Sequence, residues 1–146
     1  MKNGWVVIAN SSYAEIFRVE AGKIEKVESL SHPAGREKPS QLISDRPGRT
    51  FAIASSERHA LGEGHDIHRH EQNVFAHEIY RHCLKAKERK AFEKIAFVAP
   101  PEFLGEMRKV MKGAFDDCLE KEVAKDLPGT LSEREKVEHL KDYLKL

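Results

Sequence analysis

The feature that most constrains the fold is a succession of three short β-type segments near the start of the chain. Residues 5–9 (WVVIA) form a continuous apolar run, which is typical of a buried strand. Residues 14–20 (AEIFRVE) are rich in β-formers, and residues 23–30 (KIEKVESL) alternate imperfectly between apolar and charged side chains. Turn-forming residues separate the segments at residues 10–12 and 21–22. Three strands joined by short turns predict an antiparallel meander.

A helix, a strand and a second helix are predicted in the second half of the chain. Residues 66–90 repeat apolar side chains at helical spacing, and Asp66 suits the N-cap position. Residues 94–99 (KIAFVA) predict a buried strand, parallel to its neighbour because helices flank it. Pro100 and Pro101 end this strand and begin a helix that Gly113 can stop.

The last part of the chain predicts one further sheet or helix element and a final helix. Residues 119–127 fit either a fifth strand or a helix, whereas Ser132 and Glu135 have the capping-box spacing that precedes a helix. The order βββ-αβα-β-α predicts an α/β fold, with a mixed five-stranded sheet flanked by helices in the manner of ribonuclease H-like folds. The length of 146 residues fits a single domain over residues 1–146.

Residues 31–65 interrupt this regular pattern with a long irregular stretch. Connections between elements are usually about 4–6 residues, and much longer ones tend to be functional or disordered. Arginine presents a planar, permanently charged fork that matches phosphate oxygens, and a Pro47-Gly48 turn would set two arginines on either side of a bend. The residues predicted to bind phosphates are Arg36, Arg46, Arg49, Arg58 and His59. The predicted supporting positions of the loop are Asp45, Pro47, Gly48, Gly62 and Gly64. The alternative is a solvated insertion whose acidic residues neutralise its basic ones.

Other kinds of site receive less support from the residues. Six histidines fall between residues 59 and 82, but helical spacing divides His68 and His82 from His70 and His77, which favours ordinary surface positions over a zinc site. Asn10 stands where a two-metal nuclease of the ribonuclease H type needs an aspartate. No nucleophile motif or phosphate-binding glycine loop is present in the sequence. We therefore predict no catalytic residues, no metal and no cofactor.

The composition bears on partners and location. The net charge is +1, so electrostatic binding would need a local basic patch. Two cysteines without a CxxC pair suit a reducing cytoplasm, and the short apolar run near the start is too brief for a signal peptide or a membrane span. These observations predict a cytoplasmic protein without membrane insertion, and they leave its oligomeric state open.

Several segments together resemble a known family. The strands WVVIAN and AEIFRV, followed in order by SDRPGR, SERHALG and VAPPEFLGEMR, are similar to the host attachment protein family, also described as proteins required for attachment to host cells. The resemblance implies kinship with bacterial relatives of the archaeo-eukaryotic peptide release factors. It implies the ribonuclease H-like central domain of those factors, whose long loop enters the ribosome. By this analogy residues 31–65 face RNA or the ribosome. The catalytic Gly-Gly-Gln of release factors is absent, because the only glutamines are Gln41 and Gln72.

Three functions follow as hypotheses. The first is a non-catalytic, cytoplasmic module associated with RNA or the ribosome, which binds phosphates through the arginine-rich stretch. The second is a hydrolase acting on a phosphate- or ester-containing substrate in the same stretch, with Asp45, Glu57 or His59 as the base. The third is an indirect role in attachment to host cells.

Overall fold

A computed structural model of the chain describes residues 1–33 and 60–146, with side chains described from residue 66 onward in the second range. The strands are β1 (Asn3–Ala9), β2 (Tyr13–Glu20), β3 (Lys23–Ser31), β4 (Lys94–Ala99) and β5 (Leu119–Ala124). The helices of the described residues are α1 (Ala60–Glu88), α2 (Pro101–Met111) and α3 (Glu133–Leu144).

The five strands form one mixed sheet in the order β3-β2-β1-β4-β5. The first three strands pair antiparallel, as the meander pattern predicted, and Ala21 and Gly22 at positive φ form the turn between β2 and β3. β4 pairs parallel with β1, and β5 pairs parallel with β4. The predicted α/β fold with a mixed five-stranded sheet is confirmed, and residues 119–124 are a strand rather than a helix.

The sheet has a hydrophobic core on each face because successive side chains of a strand point to opposite sides. Trp5 and Val7 of β1 face α1 and α2, where they join Phe75, Ile79 and other buried side chains. Val6 and Ile8 face the opposite side, where Leu140 of α3 covers them. Cys83 and Cys118 are both buried in the core that faces α1 and α2.

The bounds of the helices agree with the sequence pattern at most ends. Proline occupies the first position of α2, and the helix ends before Lys112 and Gly113, both at positive φ. Ser132 caps α3 through a complete capping box with Glu135. The outermost strands, β3 and β5, are mostly exposed or half-buried, and most of their exposed side chains are charged.

The start of α1 was predicted wrongly. The helix begins at Ala60, so Asp66 lies within it and is not its N-cap. Gly62 and Gly64 consequently belong to the first turns of α1, not to a loop that continues to residue 65. A glycine inside a helix costs only about 1 kcal/mol relative to alanine. Good helix formers beside these glycines, Ala60, Leu61 and Glu63, favour continuation of the helix.

Candidate functional site

One edge of the sheet collects the carboxyl ends of several strands. β1, β4 and β5 run parallel, and β3 runs in the same direction through its two antiparallel pairings, so all four end at this edge. We call it the carboxyl edge. In open α/β sheets, ligands bind in crevices outside the carboxyl ends of the strands. The chain leaves the sheet here after β3 and returns to the described residues at the start of α1.

His32 fixes the point at which the chain leaves β3. Its backbone nitrogen donates to the carbonyl oxygen of Ser12 at 2.8 Å, and its Nε2 lies 2.9 Å from Oε2 of Glu71 on α1. The imidazole also stacks against Phe75, with ring centroids 5.2 Å apart and planes inclined by 12°. Glu71 is only 6% exposed, so this contact joins β3 to the first half of α1 within the protein interior.

Asn10 shapes the turn between β1 and β2 at the same edge. Its Oδ1 accepts hydrogen bonds from the backbone nitrogens of Ser12 and Tyr13, at 2.8 and 3.0 Å, and from the hydroxyl of Ser12 at 3.0 Å. This is the turn-forming use of an asparagine side chain. The side chain of Asn10 is thus engaged in backbone structure. Within residues 1–33 and 66–146, no three His, Cys, Asp or Glu side chains come together as ligands for a metal ion.

All five predicted phosphate-binding residues, and three of the predicted supporting positions, lie outside the part of the chain that the structure describes. They are Arg36, Asp45, Arg46, Pro47, Gly48, Arg49, Arg58 and His59. Gly62 and Gly64 lie in the first turns of α1, directly after that segment. The described residues therefore establish where the arginine-rich segment joins the scaffold, which is the carboxyl edge beside His32 and α1.

The outward face of α1 is rich in basic side chains. His77, Arg81 and Lys85 follow one another at intervals of four residues on this face. Arg89 continues the row just past the end of the helix. All four side chains are exposed. The exposed acids between residues 66 and 90 are only Asp66 and Glu88. We refer to His77, Arg81, Lys85 and Arg89 as the basic row.

The histidines of α1 follow the two stripes that their spacing predicted. His70 and His77 are exposed, whereas His68 and His82 are half-buried. His82 stacks against Trp5, with ring centroids 6.1 Å apart. This arrangement divides the four histidines between the surface and the edge of the core.

A second polar site, which the sequence did not lead us to predict, lies between β2, β3 and α3. Glu15 and Lys136 are 8% and 4% exposed, and Nζ of Lys136 contacts Oε1 of Glu15. Lys26 approaches the other carboxylate oxygen of Glu15 at 3.3 Å. The three side chains line an open cavity of about 410 Å³ together with Tyr13 and Glu133.

Tyr13 connects this second site to the chain that follows β5. Its hydroxyl donates to the carbonyl oxygen of Leu127 at 2.6 Å, and Nζ of Lys136 lies 5.5 Å from the centre of its ring. Burial, with the nearby charges of Glu15 and Asp126, raises the pKa of Tyr13 to about 12. The phenol therefore remains a neutral hydrogen-bond donor at neutral pH.

Two sequence signals indicate this site in retrospect. Glu15 interrupts the apolar face of β2 that Phe17 and Val19 continue, and Lys136 stands four residues before Leu140 on the buried stripe of α3. Charged residues in core-facing positions of two elements indicate a buried ion pair. Neither signal identifies the partner, because the pairing joins residues 121 positions apart.

An apolar cavity of about 260 Å³ lies on the other side of the sheet, between α2 and the start of β5. Leu104, Met107 and Phe115 are among its walls, and an ion pair between Arg108 and Glu122, 3.0 Å from nitrogen to oxygen, lies at its rim. No helix in the described part of the chain has both the length and the apolar character that a membrane span requires.

Comparisons with known proteins give a family and distant likenesses to solved structures. A search of curated proteins found no match. Among solved structures, the type II variant of the Aquifex aeolicus Ppx/GppA phosphatase is 12% identical, with a TM-score of 0.37. The match covers 84% of this chain but only 35% of the phosphatase, so the chain spans about a third of that protein's length. A likeness of this degree supports no argument about activity.

The family comparison covers nearly all of the chain. The family model described as "Protein required for attachment to host cells" matches residues 5–140. This range includes all five strands except the start of β1, and it extends into α3. The chain therefore belongs to the family of proteins required for attachment to host cells.

Proposed function

We propose that this protein is a non-catalytic, cytoplasmic module that binds RNA, free or within the ribosome, through backbone phosphates. The phosphate ligands are Arg36, Arg46, Arg49 and Arg58, with His59 in support. The observation that carries the proposal is the attachment of this arginine-rich segment at the carboxyl edge, where β3 ends and α1 begins. Sheets of this type bind their ligands at that edge.

The chemistry of the segment suits phosphates as ligands. A guanidinium group forms two parallel hydrogen bonds to phosphate oxygens, and it stays charged at every physiological pH. Contacts of this kind recognise the nucleic-acid backbone without reading its sequence. The segment therefore binds RNA of any sequence through its backbone phosphates.

We propose that the protein binds RNA without catalysing any reaction on it. The chain has no Gly-Gly-Gln, and Asn10, which stands where a ribonuclease H-type nuclease would need an aspartate, is an amide engaged in the turn after β1. A role in attachment to host cells is then indirect, because the protein would act on RNA and not on the host surface.

A binding titration tests this function. Fluorescence anisotropy of labelled single-stranded RNA, repeated at rising salt, compares the wild-type protein with Arg46→Glu/Arg49→Glu. Because a hydrogen bond to a charged group contributes about 1.5–3 kcal/mol, we expect the double variant to bind at least about tenfold more weakly. The affinity of the wild type should also fall steeply with salt.

A matched control carries the same change of charge elsewhere. Lys23→Glu/Lys145→Glu replaces two exposed cations that lie away from the carboxyl edge, at the start of β3 and directly after α3. This control should bind RNA nearly as well as the wild type. Equal affinities of the wild type and Arg46→Glu/Arg49→Glu would refute the proposal, and turnover of a phosphoester substrate that requires Asp45 or His59 would favour the hydrolase instead.

A further inference from the structure

Three members of the basic row form a line of like charges along one helix. Arg81, Lys85 and Arg89 follow one another at intervals of four residues, and side chains at this spacing are neighbours on a helix surface. Like charges in such positions destabilise a helix, whereas alternating charges stabilise it. The row is therefore unfavourable for the isolated helix.

The surroundings compensate this charge incompletely. Within residues 1–33 and 66–146, no carboxylate lies within ion-pair distance of Arg81 or Lys85. Glu78 and Glu88 are three residues away from them, but Glu78 turns toward Nδ1 of His32, at 4.0 Å. Arg89 is 4.0 Å from Glu28 and lies over the ring of Trp5. Two adjacent cations of the row thus remain available to an external anion.

We infer that the basic row is a second contact surface for the phosphate backbone of RNA. The inference rests on the proposed RNA binding and extends it along α1. The helix rises about 1.5 Å per residue, so its 29 residues span about 43 Å from the carboxyl edge toward the opposite edge of the sheet. An extended RNA strand can follow this helix, and each phosphate it places on the row releases a condensed counterion.

An anionic membrane is the other polyanion with matching charge, and the packing of α1 disfavours it. Membrane-surface helices bury an apolar face between lipid headgroups. The apolar face of α1 is already buried against the sheet through Phe75, Ile79 and Cys83. The exposed face offers a bilayer cations without an apolar anchor, so RNA is the partner that the row fits.

The length of the RNA provides a specific expectation. A short strand held at the carboxyl edge does not reach Arg81 and Lys85, because they lie more than twenty residues along α1 from its start. A long strand reaches both. Replacement of the row should weaken the binding of long RNA and leave the binding of short RNA unchanged.

The experiment compares Arg81→Glu/Lys85→Glu with the control Lys23→Glu/Lys145→Glu and with Arg46→Glu/Arg49→Glu, on long and short labelled single-stranded RNA. Two lost phosphate contacts should reduce the slope of log K against log salt by about 1.4, at about 0.7 per contact on a single strand. We expect the affinity of the row variant for long RNA to fall at least about tenfold, and that of the control to stay within about twofold. Arg81→Gln/Lys85→Gln should give the same loss of slope, and circular dichroism checks that each variant remains folded.

The outcomes separate this inference from the proposed function. Loss of long-RNA binding in Arg81→Glu/Lys85→Glu supports the inference. This holds even when Arg46→Glu/Arg49→Glu binds normally and the proposed function fails. The inference is overturned when Arg81→Glu/Lys85→Glu keeps the wild-type affinity and salt slope while Arg46→Glu/Arg49→Glu loses affinity for RNA. That result leaves the proposed function standing. Binding of the wild type to anionic vesicles but not to RNA overturns both.

Discussion

Replacement of Lys136 by methionine tests whether the buried ion pair holds α3 against the sheet. The ammonium group of Lys136 contacts Oε1 of Glu15, and both residues are more than nine-tenths buried. Methionine keeps the length and most of the volume of lysine but removes the charge. Glu15 would then be left in the interior without its closest partner.

The expected loss follows from the contacts that remain. Removal of one partner of a buried ion pair typically costs about 3–5 kcal/mol, because the other charge stays buried and uncompensated. Lys26, at 3.3 Å from Oε2 of Glu15, retains part of the compensation. We therefore expect about 3 kcal/mol, which corresponds to a fall of about 6–12 °C in the melting temperature of a chain of this size.

The assay is urea unfolding followed by circular dichroism, with two comparison variants. Lys141→Met changes a half-exposed lysine on the same helix and should alter the free energy of unfolding by less than about 0.5 kcal/mol. Glu15→Leu/Lys136→Met removes both charges and should recover most of the loss, since an apolar pair of similar volume is often neutral. A loss below about 1 kcal/mol for Lys136→Met, or a double variant less stable than the single one, would refute the reasoning.

Three further predictions concern other contacts. Burial raises the pKa of Tyr13 to about 12, whereas a tyrosine in the unfolded chain ionises near 10, so the unfolded chain loses this proton first. The free energy of unfolding should therefore fall between pH 10 and 12. Tyr13→Phe should lack this fall in urea titrations at alkaline pH. Ser132→Ala removes the side-chain acceptor for the backbone nitrogen of Glu135 and should cost about 1 kcal/mol in thermal unfolding, whereas Ser132→Asp should retain most of the stability. Burial, with a smaller effect of Glu28, raises the pKa of Cys83 to about 12, so iodoacetamide should label this thiol at neutral pH only after unfolding; rapid labelling of the folded protein, read by mass spectrometry, would contradict this.

The local patterns of the sequence were sufficient to predict most of the scaffold. The spacing of apolar side chains and the turn-forming residues predicted the meander, the buried strand at residues 94–99 and the capping box at Ser132. Each of these depends on residues close together in the chain. The start of α1 was missed, since two glycines resemble a loop unless the rest of the helix is known. Local composition does not reveal how strongly a long helix continues through such residues.

The candidate sites were less accessible to sequence reasoning. The arginine-rich segment was identified by composition, and the structure adds the place where it joins the sheet. The contact of His32 with Glu71 and that of Glu15 with Lys136 depend on the packing of elements far apart in sequence. A single sequence contains the charged residues of such pairs but not the distances between them.

The charged outer strands have a consequence for behaviour at high concentration. An exposed strand edge is a template on which a second copy can extend the sheet. A second copy that paired with β3 or β5 would have to remove water from the charged groups of Lys23 or Lys121. The register of β2 with β3 is also irregular beside Ile16, which disturbs the regular edge that a second strand would need. Concentrated solutions of the folded chain should therefore resist growth of fibrils by continuation of the sheet from one molecule to the next.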